Sequence, residues 1–153
     1  MGFSVYALMF FCMVLCHDAQ GAKGRLVYFK ASLSKIKTYG IHSTVIFDKC
    51  EANIGKGYNP TSGVFHAPVS GYYEFKVQLE AGSSGGYSFC LVCEGVVKSE
   101  LSIQRVWSSK FTSAIFHVNA GEHVLVRKTV HGGATRIAAG ARTQFSGYLL
   151  RSD

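Results

Sequence analysis

Over residues 71–81 the chain reads GYYEFKVQLEA. Tyr73, Phe75, Val77 and Leu79 alternate strictly with Glu74, Lys76, Gln78 and Glu80. A period of two sets one apolar face against one polar face on a β-strand, and no helix presents that pattern, because helical faces repeat every 3.6 residues. The apolar face must be buried against another layer, so this strand commits its surroundings to a packed sheet. Gly71 opens it, and the GSSGG cluster at 82–86 closes it.

The rest of the chain repeats the signal. In YSFCLVCEGVV (87–97), Tyr87, Phe89, Leu91 and Cys93 fall on one face. Further strands are expected over 26–33, 44–47, 64–66, 101–106, 112–118, 123–130 and 144–150. The turn-forming stretches NPTSG, NAGEH and HGGATR separate several of them. Helical periodicity is nearly absent, and there is no internal repeat or Gly-X-Y run. Short strands at this spacing predict an all-β sandwich or jelly roll.

With 153 residues the chain is long enough for one domain, and 48% apolar residues can fill a core. Only 16% are charged, which excludes a disordered chain. The first segment stands apart. Residues 3–16 (FSVYALMFFCMVLC) are apolar and uncharged, and His17 and Asp18 end the run. A bilayer span needs about 20 such residues, so this shorter run reads as the core of a signal peptide. Ala19 and Gly21 point to a cut after Gly21, with a cut after Cys16 as the alternative; the first gives a leader at 1–21 and a domain at 22–153. No later segment is a membrane span. Cleavage removes Asp18, so the formal charge rises from +7 to 16 − 8 = +8. The basic residues are scattered along the chain and form no nucleic-acid arm.

The stretch 47–75 carries a spaced set: Phe47, Asn53, Tyr58, Phe65, Gly71, Tyr73 and Phe75. This set resembles the signature of the complement C1q globular-head family. Val77 stands where that signature usually carries one more aromatic and keeps the inward apolar character. TQFSGYLL at 143–150, with Phe145 and Gly147, is similar to the family's last strand, and GEHVLVR at 121–127 to its penultimate one. The resemblance covers about residues 26–150. It implies a ten-stranded jelly roll like that of tumour necrosis factor, a homotrimer, and extracellular binding of proteins, glycans or microbial surfaces. The signature residues are expected to build the fold.

Motifs for chemistry are weak. Gly82-Ser83-Ser84-Gly85-Gly86 fits G-x-S-x-G, but a hydrolase needs that serine on a strand-to-helix elbow, and here a strand follows. Paired carboxylates for acid–base work are lacking, so no enzyme and no cofactor are expected. Cys90 and Cys93 sit three apart on a strand, hence on opposite faces, about 10 Å apart by strand rise, too far for a disulfide. At most Cys50 joins one of them. The six histidines (His17, His42, His66, His117, His123, His131) show no metal-ligand spacing, so no metal is expected.

These observations favour a secreted, lectin-like binding module acting in innate immunity. The alternative is an extracellular signalling or receptor-binding ligand, or a matrix or biomineral component. The candidate ligand contacts are Arg105, Trp107, Lys110, His131, Arg136 and Arg142. Arg127 and Lys128 lie near the same loops. If these loops gather at one end, they form a basic crown with an aromatic in it. Such a crown suits anionic glycans or other anionic microbial surface molecules.

Overall fold

A computed structural model describes residues 25–83 and 85–153. The expected leader at 1–21 and Ser84 lie outside the described residues. In chain order the strands are β1 (Tyr28–Ser32), β2 (Lys37–Tyr39), β3 (Lys49–Ile54), β4 (Tyr58–Asn59), β5 (Val64–His66), β6 (Gly71–Glu80), β7 (Tyr87–Cys93), β8 (Val96–Ile103), β9 (Ser109–Val118), β10 (His123–Lys128), β11 (Thr135–Ile137) and β12 (Gln144–Ser152).

The alternating segment is β6, and its four inward residues have no exposed surface. It lies between β12 and β9, pairing antiparallel with both. Two five-stranded sheets, ordered β3-β1-β12-β6-β9 and β4-β5-β10-β7-β8, stack face to face. These ten strands are the expected jelly roll. A small two-stranded sheet, β11 with β2, is an addition. Phe29 centres the aromatic core, stacked on Tyr58 at 4.8 Å and on Phe65 at 5.0 Å, with Phe145 edge-on at 4.8 Å. Each such pair adds about 0.5–1.5 kcal/mol to the burial of its rings.

Some boundaries differ from the sequence reading. The 44–47 segment makes only an isolated bridge, Thr44 to Arg127, although Val45 and Phe47 are fully buried. Apolar content marked it as inward, and only the ladder pattern is missing. The strand β3 was not expected. It is a sheet edge with no fully buried residue, so it carries little hydrophobic signal. Asn53 is on that strand. The strand β8 begins at Val96, not at 101. Glu94 and Gly95 both have positive φ (46° and 82°) and make the tight two-residue turn that sends the chain straight back.

Candidate functional site

The signature residues are interior. Phe47, Phe65, Tyr73, Phe75 and Phe145 are buried, and Tyr58 is 3% exposed. Asn53 brackets the turn into β4: its Nδ2 donates to the Tyr58 carbonyl at 2.8 Å, and its Oδ1 accepts from the Tyr58 N–H at 3.1 Å. The Tyr58 hydroxyl donates to the Phe47 carbonyl, and the Tyr73 hydroxyl to that of Val69. Gly147 lies between the rings of Phe29 and Phe75, where any Cβ would come within 2.7 Å of both. At Gly71 a Cβ would meet the Arg151 carbonyl oxygen at 2.2 Å. Both glycines permit close packing of strands.

The loop end of the sandwich is assembled around the exit of β6. Ala81 forms a bridge with Ile137, and the Gly82 N–H donates to the Arg136 carbonyl at 2.8 Å. From the β8–β9 loop, the Trp107 N–H donates to the Ala81 carbonyl at 2.8 Å. Arg142 reaches the same place: its Nη1 is 3.0 Å from Glu80 Oε1. Residues 80–82 thus bring the Arg105–Lys110 loop beside Arg136 and Arg142. His131 belongs to a further loop at this end, tied down by hydrogen bonds from Thr129 to the Ser88 carbonyl.

Within this end lies a polar cleft of about 400 Å³, lined by Ser102, Gln104, Arg105, Ser108 and Lys110. Two hydroxyls, an amide and two cations face one space. Trp107 is 61% exposed beside it and holds a backbone φ of 56°. Positive φ is an outlier for a bulky residue and stores strain that surrounding contacts must hold.

Two basic residues fall elsewhere. Lys128 is fully buried, not part of the rim. Its Nζ donates to the carbonyls of Thr129 and His131 and lies over the rings of Tyr87 and Phe89 at 5.7 and 5.6 Å. Burial pushes its pKa below the ordinary lysine value. Strand position explains the error: Lys128 alternates with Arg127, so it points inward. Arg127 stands opposite Cys90 on the outer face of its sheet and lines a separate, apolar groove with Val92, Val97 and Val130. Arg142, in turn, spends part of its charge on Glu80, a partner 62 residues earlier in the chain that spacing could not reveal. The Ser102 and Gln104 contributions to the cleft were also missed, since single polar residues at a strand end carry no motif.

Cys50, Cys90 and Cys93 are free thiols, the last two buried. Burial raises the pKa of both, which keeps them protonated and unreactive. Among the described residues no group of three or more His, Cys, Asp or Glu side chains is arranged to enclose a metal ion. No helix among them is long and apolar enough to cross a membrane.

The C1q domain profile matches residues 28–150. This chain belongs to the C1q domain family. Multimerin-1 of Homo sapiens is 32% identical over 124 residues, covering 74% of this C1q-domain chain and 10% of multimerin-1. Multimerin-1 of Mus musculus is 33% identical over 115 residues, 69% of this chain and 9% of its own length. The chain therefore spans about a tenth of these curated relatives. The globular domain of zebrafish complement 1qA superposes with a TM-score of 0.66 at 14% identity, covering 83% of this chain and 98% of that one. Murine APRIL at pH 5.0 superposes with a TM-score of 0.65 at 13% identity, covering 82% and 99%. At such identities the likeness is one of fold.

Proposed function

We propose that this chain is a secreted, non-catalytic C1q-domain module whose loop end recognises anionic carbohydrate on microbial surfaces. The observation that carries the reading is the cleft between Arg105 and Lys110, with the exposed Trp107 at its edge. Arg and Lys supply charge-assisted hydrogen bonds to carboxylate, phosphate or sulfate. The serine hydroxyls and Gln104 match sugar hydroxyls. An indole ring offers an apolar face on which a pyranose can stack. The strained φ of Trp107 is the kind of local cost that binding sites retain. Arg136 and His131 would extend contacts for a longer glycan, and Arg142 supports the loop through Glu80.

The working unit in this reading is a homotrimer. The outer face of the β3-β1-β12-β6-β9 sheet exposes Phe111 (77%), Ile115 (61%) and Tyr72 (51%) on adjacent strands. Apolar side chains this exposed along one sheet face are suited to being covered by further copies of the chain. Three copies would carry 3 × 8 = +24 once the leader is removed, and avidity would make weak single contacts useful.

Purified chain on an array of neutral, sialylated, sulfated and phosphorylated glycans tests the reading. Selective, salt-sensitive retention on the anionic members supports it. Tight, salt-resistant binding to one protein receptor, with no glycan retained, would move the assignment to a signalling ligand.

A further inference from the structure

At the end of the sandwich opposite the basic loops, His66 on β5 and His123 on β10 are direct cross-strand partners. Both side chains are exposed. Their ring centres are 4.5 Å apart, with the planes crossed at 76°. Glu94, in the β7–β8 turn, approaches from the side. Its Oε1 lies 2.6 Å from His123 Nδ1 and also accepts the His123 backbone N–H at 2.6 Å.

This arrangement fixes the chemistry of one imidazole. A carboxylate accepts and cannot donate, so the Nδ1 facing Glu94 carries the proton. The lone pair of neutral His123 is then on Nε2. A carboxylate that holds the far nitrogen of a histidine, setting its tautomer and raising its basicity, is the usual support of a metal-ligating imidazole. His66 supplies a second imidazole on the neighbouring strand.

Imidazole nitrogens suit Cu²⁺, Ni²⁺ and Zn²⁺, and metal–nitrogen bonds of about 2.0–2.1 Å are compatible with two rings this close together. With two protein nitrogens and no third ligand among the described residues, water or an external donor completes the coordination.

We propose that His66 and His123, with Glu94 as the positioning residue for His123, form an open two-histidine site for a divalent transition metal. The two histidines are 57 residues apart in sequence, so no local motif announces them. The site is independent of the basic loop end.

Titration calorimetry of the purified chain with NiCl₂, a probe that does not oxidise the free thiols, tests the proposal. One saturable site per chain is expected. His66→Ala and His123→Ala should each weaken Ni²⁺ binding at least tenfold. Glu94→Gln should weaken it about tenfold, the usual scale for losing a group that orients a ligand. His117→Ala removes a different histidine–carboxylate pair, with Asp153, and should change nothing. His66→Gln is the alternative if the alanine variant fails to fold, with melting temperature as the check. No saturable binding by the parent chain, binding that survives loss of either His66 or His123, or binding abolished by His117→Ala would overturn the assignment.

Discussion

Trp107 hangs from Ala81: its backbone N–H donates to the Ala81 carbonyl at 2.8 Å while its own φ stands at 56° and its ring projects into solvent. The bond lies on the backbone, so it survives a change of side chain. Trp107→Gly should therefore leave stability within about 1 kcal/mol, relief of strain offsetting the greater freedom of the unfolded glycine chain. Glycan affinity should fall about tenfold with the loss of a stacking ring. Thermal melts and binding isotherms on the same samples separate the two. A large stability loss would mean that the ring supports the loop.

Glu80 is buried, and the cation facing it is Arg142, itself 68% exposed. Removing the arginine strands a buried carboxylate. Solvent reaches Arg142, so the pair is worth less than a fully buried one, and Arg142→Ala should cost about 1–2 kcal/mol. Urea unfolding measures it. A variant as stable as the parent would show that Glu80 is solvated in the absence of Arg142.

Lys128 is buried without a carboxylate and satisfied by two carbonyls and two ring faces. Replacement by Met removes the burial cost of the charge but also the ties to Thr129 and His131. Lys128→Met should be no less stable than the parent in urea, yet show faster amide exchange over 129–133. Unchanged exchange there would refute the tethering role.

How much of this was legible beforehand follows from physical signals. Strict alternation in β6 and the inward aromatics specified a sandwich, because burial on one face leaves a period in the sequence. The edge strand β3 left none. Arg105, Trp107 and Lys110 were readable as a loop cluster because they are close in sequence. The pairings of Glu80 with Arg142 and of His66 with His123 are long-range products of strand register, so a linear reading has no access to them. Lys128 was misplaced because a lysine is expected in solvent, and its position in the β10 alternation argued otherwise.

Asp48 governs part of the acid limb. Burial acts to raise its pKa, but hydrogen bonds from the Ser34 hydroxyl and N–H and from Lys37 outweigh it and hold the carboxyl well below the usual range. A folded pKa below the unfolded one stabilises the fold above the unfolded value, near 4, and the gain is lost as pH falls toward the folded value. Asp48→Asn should lower stability at pH 7 and flatten the stability profile below about pH 5. Equal acid sensitivity of parent and variant would remove Asp48 from the account.

The Arg105–Lys110 loop offers basic groups and no carboxylate. Calcium wants several oxygen ligands, and cations oppose it. Chelator should leave the melting temperature and glycan binding unchanged. A substantial drop would show a calcium site that this loop does not predict.

The most direct test of the loop end is binding of one anionic microbial glycan, such as lipopolysaccharide, by the parent and by Arg105→Glu/Lys110→Glu. The parent should bind, more weakly as salt shortens the screening length toward about 8 Å at physiological ionic strength. The doubly reversed variant should lose binding at least tenfold while keeping its melting temperature and its mass by light scattering, about three times that of the chain. Equal binding by a folded variant would contradict the account and place the ligand on another surface.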